Sequence, residues 1–94
     1  FAELIEKHVA TTDELVGKIR EAIDERDAES LKINAHSLKS TAAMFGAVKL
    51  SMLSRRLETL AEEGRVESAS GVFPDLSDAW KQAQARLRFE IEKN

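Results

Sequence analysis

The chain has 94 residues, 43% hydrophobic and 33% charged, with a net charge of −3 and no cysteine. That is enough for one compact domain, read here as spanning 1–94. The acidic balance argues against a nucleic-acid surface, the missing cysteines exclude disulfides and thiolate metal sites and fit a reducing, cytoplasmic setting, and no apolar run approaches the ~20 residues of a membrane span.

Helix formers dominate throughout. The first segment, Phe1 to about Asp24, places Ile5, Val9, Val16, Ile19 and Ile23 at helical spacing, with Thr12 in the gap and Leu4, Leu15 and Ala22 widening the stripe. Thr11 followed by Glu14 is a capping-box pattern. The segment is therefore either two helices meeting near Thr11 or one long helix with a local bend. Because it opens at Phe1 in mid-pattern, it is read as the remainder of a longer segment.

Asp27 is a good N-cap for a second helix from about Ala28 to Phe45. Leu31, Ala35, Leu38, Ala42 and Phe45 form its stripe, and Gly46 supplies a left-handed C-cap. A third helix runs from Val48 to about Glu63 on Leu50, Leu53, Leu57 and Leu60, with Gly64 as its stop. Arg55, Arg56, Glu58, Glu62 and Glu63 read as its solvated face. Arg65 to Gly71 is polar and reads as the longest loop. Phe73, Leu76, Trp80, Ala83, Leu87 and Phe89 or Ile91 mark the last helix, frayed at Glu92-Lys93-Asn94. Pro74 fits its first turn, where no N–H is needed; helical residues before it would be kinked. Four amphipathic helices with short connections define an all-α fold, an antiparallel up-down-up-down four-helix bundle.

On a wheel with Leu31 at zero, the stripe of the second helix falls within about 40°, while His36 falls at about 140° and Ser40 at about 180°. His36 thus points away from the core. Its neighbours Ser40 and Ala43 are small, where a surface helix usually carries long charged side chains. Lys32 and Lys39 lie on one flank and can reach the ring, favouring a neutral imidazole and stabilising an anion placed on it. Ile33 and Met44 lie on the other flank, apolar and turned outward, the pattern of a docking patch. A lone helical histidine is ordinarily just a solvated residue; the small neighbours and lysines are what give His36 a case for a role. His8, at the edge of the first stripe, reads as a packing residue. The two histidines share no motif, so no metal site is expected. The Met44–Phe45 pair, Trp80 and the leucine stripes are core or core-edge positions by default. There is no Gly-rich phosphate loop, Ser-His-Asp order or catalytic carboxylate pair.

The segment around His36 resembles the histidine-containing phosphotransfer (HPt) domain of bacterial multistep phosphorelays. The resemblance rests on His36, Leu38, Lys39, the small run Thr41-Ala42-Ala43, Gly46, Leu50 and Leu57-Glu58. Ser40 stands where the family commonly has glycine. The family also usually has a short helix before the segment that begins here at Phe1, which points to a truncated N-terminal helix. The resemblance implies that His36 accepts a phosphoryl group from a receiver-domain aspartate and passes it to another. It implies that Lys39 stabilises the phosphoryl charge, with Lys32 a weaker candidate, and that Ser40, Ala43 and Gly46 keep the surface open. Ile33, Met44 and Ala47 complete the docking patch. The implied partners are response-regulator receiver domains or a hybrid sensor kinase, met by a monomer. No cofactor of its own and no autonomous kinase activity are expected. With no carboxylates placed to hold Mg²⁺ near His36, the metal should come with the receiver. The alternative is a non-catalytic helical adaptor that docks receivers or other signalling proteins.

Overall fold

A computed structural model describes residues 1–93 as four helices: α1 (Ala2–Asp24), α2 (Ala28–Met44), α3 (Val48–Glu62) and α4 (Val66–Lys93). Each packs on the next and α1 closes on α4, giving an antiparallel four-helix bundle. It measures 44 × 19 × 18 Å. Among the described residues no helix is long and apolar enough to cross a membrane.

The core is the set of stripes that the periodicity marks. Ile19, Leu31, Leu38, Leu50, Leu57 and Leu76 are fully buried. None of these helices would be stable alone in water, so their stability lies in this shared burial. Thr12 and Ser54 are the buried hydroxyls; Ser54 satisfies its own by donating to the Leu50 carbonyl at 2.8 Å.

All three turns close in the same way. The Ala47 N–H bonds the Ala42 carbonyl at 2.9 Å and the Gly46 N–H bonds that of Ala43 at 3.1 Å. Asp27 and Arg26 repeat this on Ala22 and Ile23, and Arg65 and Gly64 repeat it on Leu60 and Ala61. This paired closure needs one left-handed residue. Gly46 and Gly64 supply it at φ 72°, as the sequence leads one to expect; at the first turn a non-glycine, Arg26, supplies it at φ 56°. Asp27 also caps α2, accepting from the Ser30 N–H at 3.1 Å.

The structure decides or corrects several expectations. Of the two readings of the first segment, the single long helix is the one observed, and Thr11 is not a cap. Leu4 is exposed rather than part of its stripe, and of Phe89 and Ile91 it is Ile91 that is half-buried. The expected loop from Arg65 to Gly71 is helix from Val66 onward, because Val66, Ala69 and Val72 are buried and extend the α4 stripe backward. Pro74 consequently lies inside α4, where it withholds an N–H from the Ser70 carbonyl. α4 stays helical through Lys93 rather than fraying, and Asn94 lies outside the described residues.

Candidate functional site

α2 turns Leu31, Ala35, Leu38 and Ala42 fully inward. His36, one residue past Ala35, is carried about 100° round the helix and its side chain is 61% exposed. Ser40 and Ala43, one and two turns on, are exposed beside it, as are Lys32, Ile33, Met44 and Gly46; Ala47 is half-buried. All the residues singled out on the sequence are thus brought to one face or its edge.

What the one-helix wheel missed is Glu58. This α3 carboxylate reaches across to α2 with both oxygens. Oε2 lies 2.7 Å from His36 Nδ1 and Oε1 lies 2.7 Å from Lys39 Nζ. Its side chain is only 13% exposed, so it is not part of a solvated face. Both of its oxygens are taken up by His36 and Lys39. Ser51 Oγ, two turns before Glu58 on α3, donates to the Lys39 carbonyl at 2.9 Å. The signal in the sequence was the Leu57–Glu58 pair itself: Leu57 is fully buried against the core, and the next residue is carried about 100° round, toward α2.

The electrostatics follow from this clamp. The hydrogen bond from Lys39 holds the Glu58 carboxyl below its ordinary range; burial opposes this, and the His36 bond adds to it. Glu58 is therefore ionised at neutral pH and only accepts. A neutral His36 must then carry its proton on Nδ1, donating it to Glu58, and its Nε2 lone pair is left free on the solvent side. The charge of Lys39 is taken up by Glu58, so the expected pair of lysine charges acting on the ring reduces to Lys32. That lysine has no carboxylate within ion-pair distance among the described residues.

His8 is the contrast. It is 5% exposed and stacks on Phe45 with ring centroids 3.6 Å apart, with Trp80 edge-on at 6.1 Å. Burial lowers its pKa. Phe45 and Trp80 are packing residues as expected, whereas Met44 is 80% exposed. Among the described residues no group of three or more His, Asp or Glu side chains could hold a metal ion.

A helical bundle that holds a surface imidazole by one nitrogen and offers the other is built to present a nucleophile to another macromolecule, since a convex helix face has no pocket for a small substrate. Comparison with known proteins gives the family. The family model described as "Hpt domain" matches residues 3–87, and the chain belongs to that family. The crystal structure of histidine-containing phosphotransfer protein B (HptB) from Pseudomonas aeruginosa PAO1 superposes with a TM-score of 0.92 at 23% identity, covering 97% of this chain and 79% of that one. It shares the fold. No curated protein matches the chain in sequence.

Proposed function

We propose that the chain is a phosphorelay intermediate and that His36 is the residue that carries the phosphoryl group. The observation that supports this most directly is the Glu58 bond to Nδ1, which leaves Nε2 as the free, outward nucleophile. Nε2 attacks the phosphorus of a receiver's aspartyl phosphate. The new N–P bond forms as the P–O bond to the aspartate breaks, and the carboxylate leaves with its electron pair. The ring becomes a phosphorylated imidazolium whose Nδ1–H stays on Glu58, which offsets its charge. Lys39, which shares Glu58 with His36, turns to the phosphoryl oxygens once they arrive, with Lys32 a turn before His36 as a second cation. Transfer to a second receiver is the reverse sequence with another aspartate as nucleophile.

Ser40, Ala43 and Gly46 leave room for a receiver to approach, while Ile33, Met44 and Ala47 supply apolar contact around the ring. Partners of this reading are receiver domains, free or within a hybrid kinase, with Mg²⁺ bound by the receiver. Both oxygens of Glu58 are already engaged, which supports that assignment. The protein acts as a monomer in the cytoplasm, meeting its partners transiently.

The test is to mix the protein with a phosphorylated receiver and follow acid-labile phosphate. Wild type and His8→Gln accept it; His36→Gln does not. Labelling of His36→Gln would overturn the reading, and binding without labelling of the wild type would select a docking adaptor instead.

A further inference from the structure

At the end of the bundle where α2 turns into α3, a cavity of about 180 Å³ opens between that turn and the second half of α4. Its body is apolar: Phe45, Leu50, Ala79, Ala83 and Leu87 line it. His8 forms part of its wall. Of the two ring nitrogens of His8, Nδ1 has Thr12 Oγ1 at 3.5 Å, while Nε2 has no partner among the described residues and is not sealed off. His8 is thus 95% buried in the cavity wall with one ring nitrogen unengaged. Lys49 and Arg86 also line the cavity; both are exposed, so they stand at its mouth, and no Asp or Glu lines it. Neither cation has an ion-pair partner among the described residues.

We propose that this cavity is a binding site for a single-ring aromatic carboxylate bearing a ring hydroxyl, with the ring inside, the hydroxyl on His8 Nε2 and the carboxylate at Lys49 and Arg86. The size fits: an engineered apolar cavity of about 150 Å³ takes up benzene. The imidazole of His8 and the phenyl ring of Phe45, both in the lining, give an aromatic guest ring partners. A neutral His8, which its burial favours, can donate or accept at Nε2 and so can meet a hydroxyl. Two unpaired cations at the mouth, with no carboxylate between them, select an anionic head group over a neutral one. The site shares Phe45, Gly46 and Ala47 with the end of the helix that carries His36, yet its occupancy does not depend on the relay reading.

The probe is 4-hydroxybenzoate, titrated into ¹⁵N-labelled protein while backbone amides and the fluorescence of Trp80, the only tryptophan, are followed. Saturable shifts confined to residues around His8, 45–50 and 79–87 are expected, with Kd of about 1 mM or tighter. Arg86→Gln should weaken binding about tenfold, the loss of one charge-assisted contact. Ala83→Leu, which fills the cavity, should abolish the shifts while the melting temperature holds. Benzoate, lacking the hydroxyl, should bind more weakly. An unsaturable response would overturn the proposal, as would binding that survives Ala83→Leu in folded protein or is matched by 4-hydroxybenzyl alcohol. Equal binding of benzoate would overturn the role given to His8.

Discussion

The indole Nε1 of Trp80 donates a 2.6 Å hydrogen bond to Oδ1 of Asp13. It ties α4 to α1 from 67 positions away in sequence. Trp80 is 4% exposed, so removing the acceptor strands a buried N–H. Asp13→Ala should cost about 1–2 kcal/mol, while Asp13→Asn, which keeps an acceptor oxygen, should cost less than half of that. Urea denaturation followed by Trp80 fluorescence checks both.

Glu58 should act on the reaction through the tautomer of His36. In Glu58→Ala the neutral ring loses the acceptor that keeps its proton on Nδ1. The ¹⁵N shifts of His36 should then show protonated Nε2 gaining population, and transfer should slow by about tenfold or more, within the range of lost proton-positioning groups. Glu58→Gln, whose amide oxygen can still accept, should fall between. An unchanged tautomer with slowed transfer would mean that Glu58 acts by charge alone.

Lys39 and Ser40 separate chemistry from access. Lys39→Ala should slow transfer or shorten the life of the phosphoramidate, and leave receiver binding nearly unchanged. Ser40→Arg should block transfer by obstructing approach, with the helical circular dichroism spectrum intact. Single-turnover transfer together with a binding titration distinguishes the two outcomes.

Stability should fall with acid in two distinct windows. His8 has a depressed pKa in the folded state, so below its unfolded value near 6.5 the unfolded chain takes up the proton first. The stability His8 contributes is full above that pH and is lost on going down toward the folded pKa. Glu58 is also depressed. Its contribution is full above the ordinary carboxyl range and is lost below it, as pH falls through the folded pKa. Urea midpoints against pH should therefore lose the upper step in His8→Gln and part of the lower step in Glu58→Gln.

Arg26 occupies a conformation that suits glycine. Its exposed ion pair with Glu67, at 2.9 Å, contributes little. Arg26→Gly relieves the left-handed strain, against some added freedom in the unfolded chain. A net stabilisation of about 0.5 kcal/mol is expected by thermal or urea unfolding. Arg26→Val should destabilise, since branching at Cβ sharpens the same clash.

The helices were legible because their stripes repeat at 3.6 residues and because Asp27, Gly46 and Gly64 mark ends by local chemistry. The start of α4 was not, because Glu67, Ser68, Ser70, Gly71 and Pro74 look like loop and the buried residues among them, Val66, Ala69 and Val72, are small. Arg26 carries no compositional mark of a turn. The outward face of His36 followed from its own helix. Its partnership with Glu58 did not, for it depends on how α3 is rotated against α2, which no single-helix pattern encodes. Trp80 and Asp13 were hidden in the same way.

That rotation is set by turns with no slack. In the first turn one residue, Asp27, both completes the closure of α1 and caps α2; Ala47 likewise closes α2 and stands directly before α3. The connection behaves as a phase lock rather than a tether. One extra residue beside Ala47 that extended α3 at its start would turn every later side chain about 100° relative to α2. Leu57 would then leave the core or Glu58 would leave His36, and the core, with far more at stake, would choose its own alignment. Insertions at this turn should thus produce a folded bundle with an ordinary surface histidine, and length at residues 45–47 is as much a condition of the site as the identity of its side chains.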